Sequence, residues 1–582
     1  MQPIATPFRR LRWMLPSLMS CLLWTSLSLP AVAEQPNVLF ISVDDLNDWI
    51  GCLKGHPQAR TPNIDRLAES GMLFTNAHCG SPACNGSRSA IMSGQPAYVS
   101  GMYDNLQKMR SVMPDAELIP KYFSKHGYWS AGSGKILHYI IDAQSWDDYN
   151  PPKETEDPFP RTLYPEQRPV SLPRGGPWQY IETDWGGLDA TDEEFGGDWL
   201  VSKWIGEQLS REHDQPFFLA CGIYRPHEPW FVPQKYFDQF PLDEIQLPPG
   251  YAADDIDDLP PAGKKLARNR YFAHIQNEGQ WKKAIQGYLA SIAFADAMVG
   301  RVITALEEGP NNDNTIVMLW SDHGWHLGEK EHWQKYTGWR VCTRVPLIVR
   351  VPQGTTGLEQ GTQPGSVCQA PVSLVSLYTT LIELAGLPAK ASLQEPSLVP
   401  LLKDPQSTWP HMAVTQLMSP ENYSVSGPRY RYIHYANGDE ELYDIETDPY
   451  EWNNLAGDPK FAEPLTRLKQ HGPKDPAKFV PPAPSSLTKL KWHPAGSAAV
   501  PASNPDGNRF NVTFSNQSGQ PVKMFQSLGD QAPQPFGVLE SGWSKPQLTR
   551  PGTVWLITDL DDQPLGHFVV GDRTAQAVIP KR

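Results

Sequence analysis

Short apolar runs rich in β-branched and aromatic residues recur up to about residue 350 of the chain. Four of these runs predict strands over residues 37–43, 216–222, 315–320 and 345–351, and a weaker run covers residues 128–131. A continuous apolar character of this kind is typical of strands that are buried on both faces of a sheet.

Helical patterns lie between the predicted strands, over residues 61–71, 284–308 and 372–386. Each pattern is closed by a glycine, a residue that commonly terminates helices because it adopts left-handed backbone angles freely. Strands that alternate with helices in this way predict an α/β sandwich built on a parallel or mixed sheet.

Charged and imidazole side chains follow the predicted strands at the points where the strands end. They are Asp44 and Asp45, Lys135 and His138, His227, and Asp322 and His323. Because ligands bind beyond the carboxyl ends of strands in open α/β sheets, we expect these groups to meet at one edge. Taken singly, each group could instead cap a helix or lie in solvent.

The first 33 residues have the character of a secretory signal peptide. Arg9, Arg10 and Arg12 precede a mostly apolar stretch over 13–29, and Ala31-Val32-Ala33 offers a small-x-small cleavage site. An N-terminal membrane anchor is the alternative, but the apolar stretch is shorter than the ~20 residues of a spanning helix. We therefore expect a secreted or periplasmic protein without a transmembrane anchor, since no later stretch is long and apolar enough.

The composition of the chain argues against two classes of protein. The formal net charge is −14, from 50 Lys and Arg against 64 Asp and Glu, so a basic nucleic-acid-binding face is not expected. The chain has 7 cysteines among 582 residues, too few for a scaffold built on disulfides. One or two bridges are compatible with an oxidising compartment, and the sequence does not pair them.

The three carboxylates Asp44, Asp45 and Asp322 would repel one another at a shared site, so a positive charge must hold them together. Ligands rich in oxygen favour Ca²⁺ or Mg²⁺ over Zn²⁺. The candidate cations around them suit a tetrahedral oxyanion such as sulfate or phosphate; they are Arg88, Lys135, His138, His227 and Lys335. Cys84, just before a predicted helix, is either the nucleophile or a buried inert cysteine.

The segment Cys84-Asn-Gly-Ser87-Arg88 resembles the Cys-x-Pro-Ser-Arg signature of type I sulfatases, in which the cysteine becomes formylglycine. Segments 37–46, 61–68, 134–138 and 321–324 agree with that family. Segments 225–229, 327–336 and 441–451 most resemble the iduronate-2-sulfatase branch. The resemblance runs in order over residues 35–476, which argues against chance matches.

The resemblance implies an alkaline-phosphatase-like α/β sandwich with a mixed, mainly parallel sheet and a smaller C-terminal α+β subdomain. It also implies Ca²⁺ bound by Asp44, Asp45, Asp322, His323 and the modified Cys84. Lys135 and Lys335 would grip the sulfate, His138 would deprotonate the aldehyde hydrate, and His227 would protonate the leaving alcohol, while Arg88 steadies the hydrate. The implied reaction removes sulfate from a sulfated carbohydrate through a gem-diol and a covalent sulfo-enzyme intermediate.

Gly86 departs from the family signature, which has proline or alanine at this position. Glycine loosens the extended backbone that a formylglycine-generating enzyme, the expected maturation partner, would read. Two other functions stay open, and only the second follows from Gly86. One is phosphodiester or phosphonate monoester hydrolysis on the same fold, and the other is glycan binding without catalysis.

The last hundred residues differ in composition from the rest. Residues 479–508 are rich in Pro, Ala and Ser and predict a linker. Alternating apolar runs over 509–582 predict a small β-sandwich, which resembles the β domain of the von Hippel-Lindau protein around Asn516, 551–557 and 566–572. The expected organisation is a signal peptide (1–33), a catalytic domain (34–400), a C-terminal subdomain (401–478), the linker and the sandwich.

Overall fold

The computed structural model describes residues 35–165, 183–267, 270–480, 488–497, 499–503, 505, 510–528, 531–571 and 575–581. The predicted signal peptide, 1–33, lies outside the described residues.

A mixed sheet forms the centre of the molecule. Among the described residues it has eight strands, in the order Ser366–Cys368, Met72–Phe74, Leu347–Arg350, Thr315–Ser321, Asn37–Val43, Phe217–Ile223, Trp129–Gly134 and Asp148–Asn150. The strand Leu347–Arg350 runs antiparallel to both of its neighbours, and the other pairs are parallel. This sheet confirms the predicted α/β class.

Helices cover both faces of the sheet, because its strands are apolar on both sides. In the strand Asn37–Val43, Leu39 and Ile41 belong to one core and Phe40 to the other. The first core contains side chains from the helices Pro62–Ser70, Asp192–Phe195, Asp198–Leu209, Gln234–Phe237, Arg270–Asn277 and Trp281–Glu308. The second contains side chains from Cys84–Ser93, Met109–Val112, Ile119–Lys125, Ser376–Leu384 and Val399–Lys403.

The prediction of a helix over residues 372–386 is wrong at the N-terminal end. Val372–Ser373 instead forms a short parallel pair with Ala77–His78, and the helix begins at Ser376. The backbone N–H of Val372 donates to the carbonyl of Asn76 and that of Leu374 to the carbonyl of His78. Pairing with a distant segment therefore takes the first residues of an amphipathic pattern out of the helix.

The expectation that no later stretch is long and apolar enough to span a membrane is also wrong. The helix Trp281–Glu308 meets the length and hydropathy of a membrane span, but 78% of its most apolar window is buried inside the protein. Its Asp296 accepts hydrogen bonds from the backbone N–H groups of Asn63 and Ile64, which begin the helix Pro62–Ser70. This helix lies in the first core.

An antiparallel sheet follows the central sheet along the chain. Its four described strands are Ala413–Gln416, Tyr423–Ser426, Tyr430–His434 and Glu440–Asp444, and the helix Ala462–Lys469 packs on it. Further short helices are Ala97–Ser100, Pro261–Ala267 and Arg340–Thr343. Glu441, Asp444 and Glu451, three of the five acids of the predicted 441–451 motif, lie in this sheet or just after it.

Two further sheets occupy the described part of residues 488–579. One contains Thr488–Lys489, Ala575–Ile579, Phe510–Asn516 and Ser544–Thr549. The other contains His493–Pro494, Pro564–Val569, Val554–Thr558, Val522–Leu528 and Gln531–Leu539. Both contribute to a separate core that includes Phe514, Trp555 and Phe568. Two of the short strands lie within the range predicted as a linker.

Shortening a buried side chain of the central sheet tests whether that face of the sheet is packed in a core. We expect Leu319→Ala to lower the free energy of unfolding by about 2–5 kcal/mol, because Leu319 is fully buried and the substitution leaves a cavity. The measurement is the urea midpoint of tryptophan fluorescence. Leu106→Ala is the matched control, since Leu106 is 68% exposed. Equal midpoints for the two variants would contradict the assignment of this core.

Candidate active site

Four adjacent parallel strands deliver the polar residues to one edge of the sheet. Thr315–Ser321 leads into Asp322, Asn37–Val43 into Asp44 and Asp45, Phe217–Ile223 towards His227, and Trp129–Gly134 into Lys135. The residues that the sequence separates by up to nearly three hundred positions therefore meet, and the backbone N–H of Asp45 donates to Asp322 Oδ1 at 3.1 Å.

Arg88 connects the Cys84–Ser93 helix to three of these strand ends. Its Nη2 donates to Asp44 Oδ1 at 2.8 Å and its Nε to Asp322 Oδ2 at 2.9 Å, while Nη1 donates to the carbonyl of Lys135 at 2.6 Å. The side chains of Arg88, Asp44 and Asp322 are fully buried. Removing either acid would deprive the buried Arg88 charge of one of its two carboxylate partners, and breaking a buried ion pair costs several kcal/mol.

The Cys84 thiol lies where the cationic side chains converge, at the N-terminus of its helix. Its Sγ is 3.0 Å from Lys335 Nζ, 3.2 Å from His323 Nε2 and 3.8 Å from Lys135 Nζ, and His138 is a further neighbour of the thiol. Burial raises the pKa of this thiol, but Lys135 and Lys335 outweigh burial and hold the pKa well below its ordinary value. Residue 84 is thus surrounded by groups that stabilise negative charge.

The protein itself supplies part of the positive charge that the carboxylates require. Lys135 Nζ contacts Asp44 Oδ2 at 2.5 Å, and Lys335 Nζ contacts Asp45 Oδ1 at 2.8 Å. Burial raises the pKa of Asp44, yet Lys135 and Arg88 reverse the effect and lower it. Asp322 behaves oppositely, because burial raises its pKa to about 6 despite Arg88.

Lys335 directly follows a hairpin that is fixed by contacts with residues outside the central sheet. It pairs His326–Leu327 with Trp333–Gln334, and Lys330, Gln334 and Tyr336 have left-handed backbone angles. Lys330 Nζ contacts Asp255 Oδ1 at 2.5 Å and the carbonyl of Glu451.

The carboxylate of Glu451 also binds Arg431 of the antiparallel sheet. The 441–451 motif therefore has a structural role next to the site: it anchors the hairpin that places Lys335. Residues such as Lys330 carry no signal in the sequence, because only the fold shows what they contact.

Asp198 holds the backbone before His227. Its Oδ1 accepts from the N–H of Tyr224 at 2.7 Å and its Oδ2 from the N–H of Arg225 at 2.9 Å. His227 Nδ1 donates to the carbonyl of Glu228 at 2.6 Å, so its Nε2 faces Asp45 Oδ2 at 3.7 Å. Sequence analysis missed Asp198, because only the fold brings this acid to the backbone of Tyr224 and Arg225.

The donor atoms at the strand edge fit a hard cation. The ligand atoms of Asp45, Cys84, Asp322 and His323 lie within 4.8 Å of one another, as do those of Asp44, Asp45 and His227. Asp45 Oδ2 is buried and has no hydrogen-bond partner among the described residues. A set dominated by carboxylate oxygens, with one buried oxygen left unpaired, is suited to Ca²⁺.

The departure at Gly86 has a packing reason. A Cβ built at this position would lie 2.8 Å from Ser81 Oγ and 3.0 Å from Ser81 Cβ. The helix therefore lies so close to Ser81 that alanine or proline at position 86 would require the Ser81 side chain to move.

Comparison with known proteins decides the family. The sulfatase family profile matches residues 36–387, and the profile described as N-sulphoglucosamine sulphohydrolase, C-terminal, matches residues 328–474. The chain belongs to the sulfatase family. It is an enzyme of the sulfuric ester hydrolase class, as the resemblance of its Cys84 segment predicts.

Relatives of this sulfatase include carbohydrate sulfatases by name. A protein named sulfatase from Formosa agariphila is 39% identical over 458 residues, which cover 77% of this chain and 88% of the relative. Human iduronate 2-sulfatase is 30% identical over 464 residues, covering 73% and 81%. A protein solved in complex with its substrate D-glucosamine-2-N,6-O-disulfate is 22% identical, with a TM-score of 0.58 and coverage of 75% and 96%. That likeness concerns the fold.

Asp198 should make the stability of this sulfatase pH-dependent. Burial raises its pKa from 3.8 to about 6, which Arg225 only partly offsets. The folded state therefore binds the proton more tightly, so the contribution of Asp198 to stability is full below pH 3.8 and is lost as pH rises through about 6. That loss amounts to roughly 3 kcal/mol.

The side chain introduced by Asp198→Asn cannot lose a proton. As the pH rises from 3.8 to about 6, the free energy of unfolding of this variant in urea should therefore increase relative to that of the wild type. The measurement is the difference between the two unfolding free energies at each pH. Curves that stay parallel would show that Asp198 is not the titrating group, and Asp192→Asn, a change at a half-exposed acid on the preceding helix, controls for a general charge effect.

Proposed function

We propose that this sulfatase removes sulfate from a sulfated carbohydrate, with residue 84 oxidised to formylglycine and Ca²⁺ bound beside it. The observation that carries the proposal is the position of Cys84, whose Sγ lies within 3.8 Å of Lys135, His323 and Lys335. A sulfate ester placed at residue 84 would meet two ammonium groups and a preorganised positive field, the main source of catalysis for such transfers.

Lys135 and Lys335 would bind the sulfate oxygens, because both amines lie within 3.8 Å of Cys84 Sγ and both side chains are buried. Arg88 would stay in its buried contacts with Asp44 and Asp322 and fix the distance between the helix and the strand ends. In this proposal Lys135 and Lys335 contact the substrate, whereas Arg88 holds the helix and the strand ends in position.

His138 and His227 would divide the proton transfers. Burial lowers the pKa of His138, so its imidazole is neutral and can accept a proton at residue 84. Burial also lowers the pKa of His227, but Asp45 outweighs it and raises the pKa above the ordinary value. A protonated His227 can donate to the oxygen of the leaving alcohol. Two titratable groups whose pKa values are pushed apart are typical of an acid and base pair.

Asp44, Asp45, Asp322 and His323 would hold Ca²⁺. When bound, the ion would polarise the substrate oxygens and add positive charge to a cluster in which three carboxylates face Arg88, Lys135 and Lys335. The excess positive charge would favour an anionic ester.

A sugar is the proposed alcohol because one relative is named iduronate 2-sulfatase and a protein of the same fold was solved with a sulfated glucosamine as its substrate. The proposed cleavage of residues 1–33 would release the enzyme to the periplasm or the outside, where such polysaccharides occur. The formylglycine-generating enzyme would act before folding, since Cys84 is fully buried in the folded protein.

The direct test is sulfate release from a panel containing D-glucosamine-2-N,6-O-disulfate, iduronate 2-sulfate and a sulfated galactose, with an aryl phosphonate ester in parallel. We expect turnover of at least one sugar sulfate and much slower turnover of the phosphonate. Cys84→Ala should abolish turnover, because the nucleophile is lost, while the matched change Cys52→Ala at a distant cysteine should retain it.

Mass spectrometry of the active protein should find an aldehyde at position 84. Matured protein that turns over no sugar sulfate would overturn the proposed substrate, and full activity with an intact Cys84 thiol would overturn the proposed nucleophile.

Metal removal offers an independent readout. Dialysis against a chelator should abolish activity and lower the thermal midpoint, and Ca²⁺ should restore both, because a ligand that binds only the folded state stabilises it by ~2.7 kcal/mol at a hundredfold excess over Kd.

Asp45→Asn should remove the Ca²⁺-dependent shift of the midpoint, whereas Asp254→Asn, at an exposed acid, should keep it. A midpoint that chelation and Ca²⁺ leave unchanged would rule out this metal site.

A further inference from the structure

Three aromatic side chains form a continuous surface beside the candidate site, and we call it the aromatic wall: Tyr139, Phe159 and Tyr224. The ring centroids of Tyr139 and Phe159 are 5.1 Å apart and those of Phe159 and Tyr224 are 5.2 Å apart, both edge-to-face. The hydroxyl groups of Tyr139 and Tyr224 are 3.4 Å apart. Phe159 therefore backs both tyrosines.

The aromatic wall borders the place where the sulfate would bind. Lys135 Nζ lies 4.8 Å from the Tyr139 ring centroid and 5.2 Å from that of Tyr224. The Tyr224 ring also stacks on His227, with centroids 4.7 Å apart. A substrate held by Lys135 and protonated by His227 would thus have its alcohol portion next to these rings.

Tyr139 is more exposed than the residues that lead into it. Its side chain is 36% exposed, while Ile136 and Leu137 just before it are 1% exposed. Its φ of +56° is a left-handed conformation that is unfavourable for a bulky residue. Such backbone outliers concentrate at ligand-binding and active sites.

We infer that the aromatic wall, through Tyr139, stacks against the apolar C–H face of the sugar ring that bears the sulfate. This inference rests on the proposed function and names how its substrate is recognised. Aromatic faces carry partial negative charge and a large apolar area, which complement the C–H groups of a pyranose face. The wall carries no charge of its own, so it selects the alcohol portion of the ester and leaves sulfate affinity to the lysines.

A different role for the rings would be to hold Lys135 through cation–π contacts alone. The two roles differ in one measurable respect. If the rings only support Lys135, their loss weakens every sulfate-containing ligand equally. If Tyr139 stacks on the sugar, its loss weakens sugar sulfates and leaves inorganic sulfate unaffected.

The test compares the wild type with Tyr139→Asn, which removes the ring but tolerates left-handed backbone angles, and with Tyr139→Phe, which keeps the ring. The readouts are KM and kcat for the panel sugar sulfate with the highest turnover, and the inhibition constant of inorganic sulfate. We expect Tyr139→Asn to raise KM up to about tenfold, given the usual strength of aromatic stacking, at an unchanged inhibition constant. Tyr139→Phe should stay close to the wild type.

Equal increases in KM and in the inhibition constant would overturn the inference in favour of support for Lys135, and unchanged values would overturn it outright. In both cases the wild type still turns over sugar sulfates, so the proposed function stands. A matured wild type without sugar-sulfatase turnover would instead sink the proposed function and this inference with it.

Discussion

The buried ion-pair network of Arg88 is the constraint on which the rest of the site depends. One guanidinium group contacts carboxylates at the ends of two strands and a carbonyl at the end of a third, while its own helix begins at Cys84. Because this group cannot lose its charge in a protein, its partners must remain ionised or leave it uncompensated. The distance between residue 84 and the strand edge is therefore set by electrostatics in a dry interior.

The same network explains why three carboxylates can lie close together despite their mutual repulsion. Arg88, Lys135 and Lys335 face Asp44, Asp45 and Asp322 in nearly one-to-one contacts, so the protein balances most of its own charge before any ion binds. Within the described part of the chain, Asp45 Oδ2 is the oxygen of these three carboxylates that is buried without a hydrogen-bond partner. A divalent cation there would turn a neutral cluster into a cationic one, which a sulfate ester would then neutralise.

Sequence patterns predict the central strands of this molecule better than the outlying strands and the residues that hold the site in place. The strand Asn37–Val43 is found at its predicted bounds, since every residue in it is buried and apolar character alone marks it. The strand Ser544–Thr549 is invisible to the same reasoning, because it buries the polar residues Gln547 and Thr549 and exposes Leu548. Likewise, the acids after the central strands stand out by position, whereas Asp198 and Lys330 gain meaning only from contacts made across long separations.

The hairpin that carries Lys335 joins two parts of the chain that look separate in the sequence. Lys330 within it is fixed to Glu451, whose carboxylate also binds Arg431 in the antiparallel sheet. The amine of Lys335, which we propose binds the sulfate, is thus positioned through contacts with a region outside the strand edge. Any fragment or chimera that exchanges this sheet would keep the strand edge and its acids, yet would remove the contacts that fix the hairpin before Lys335.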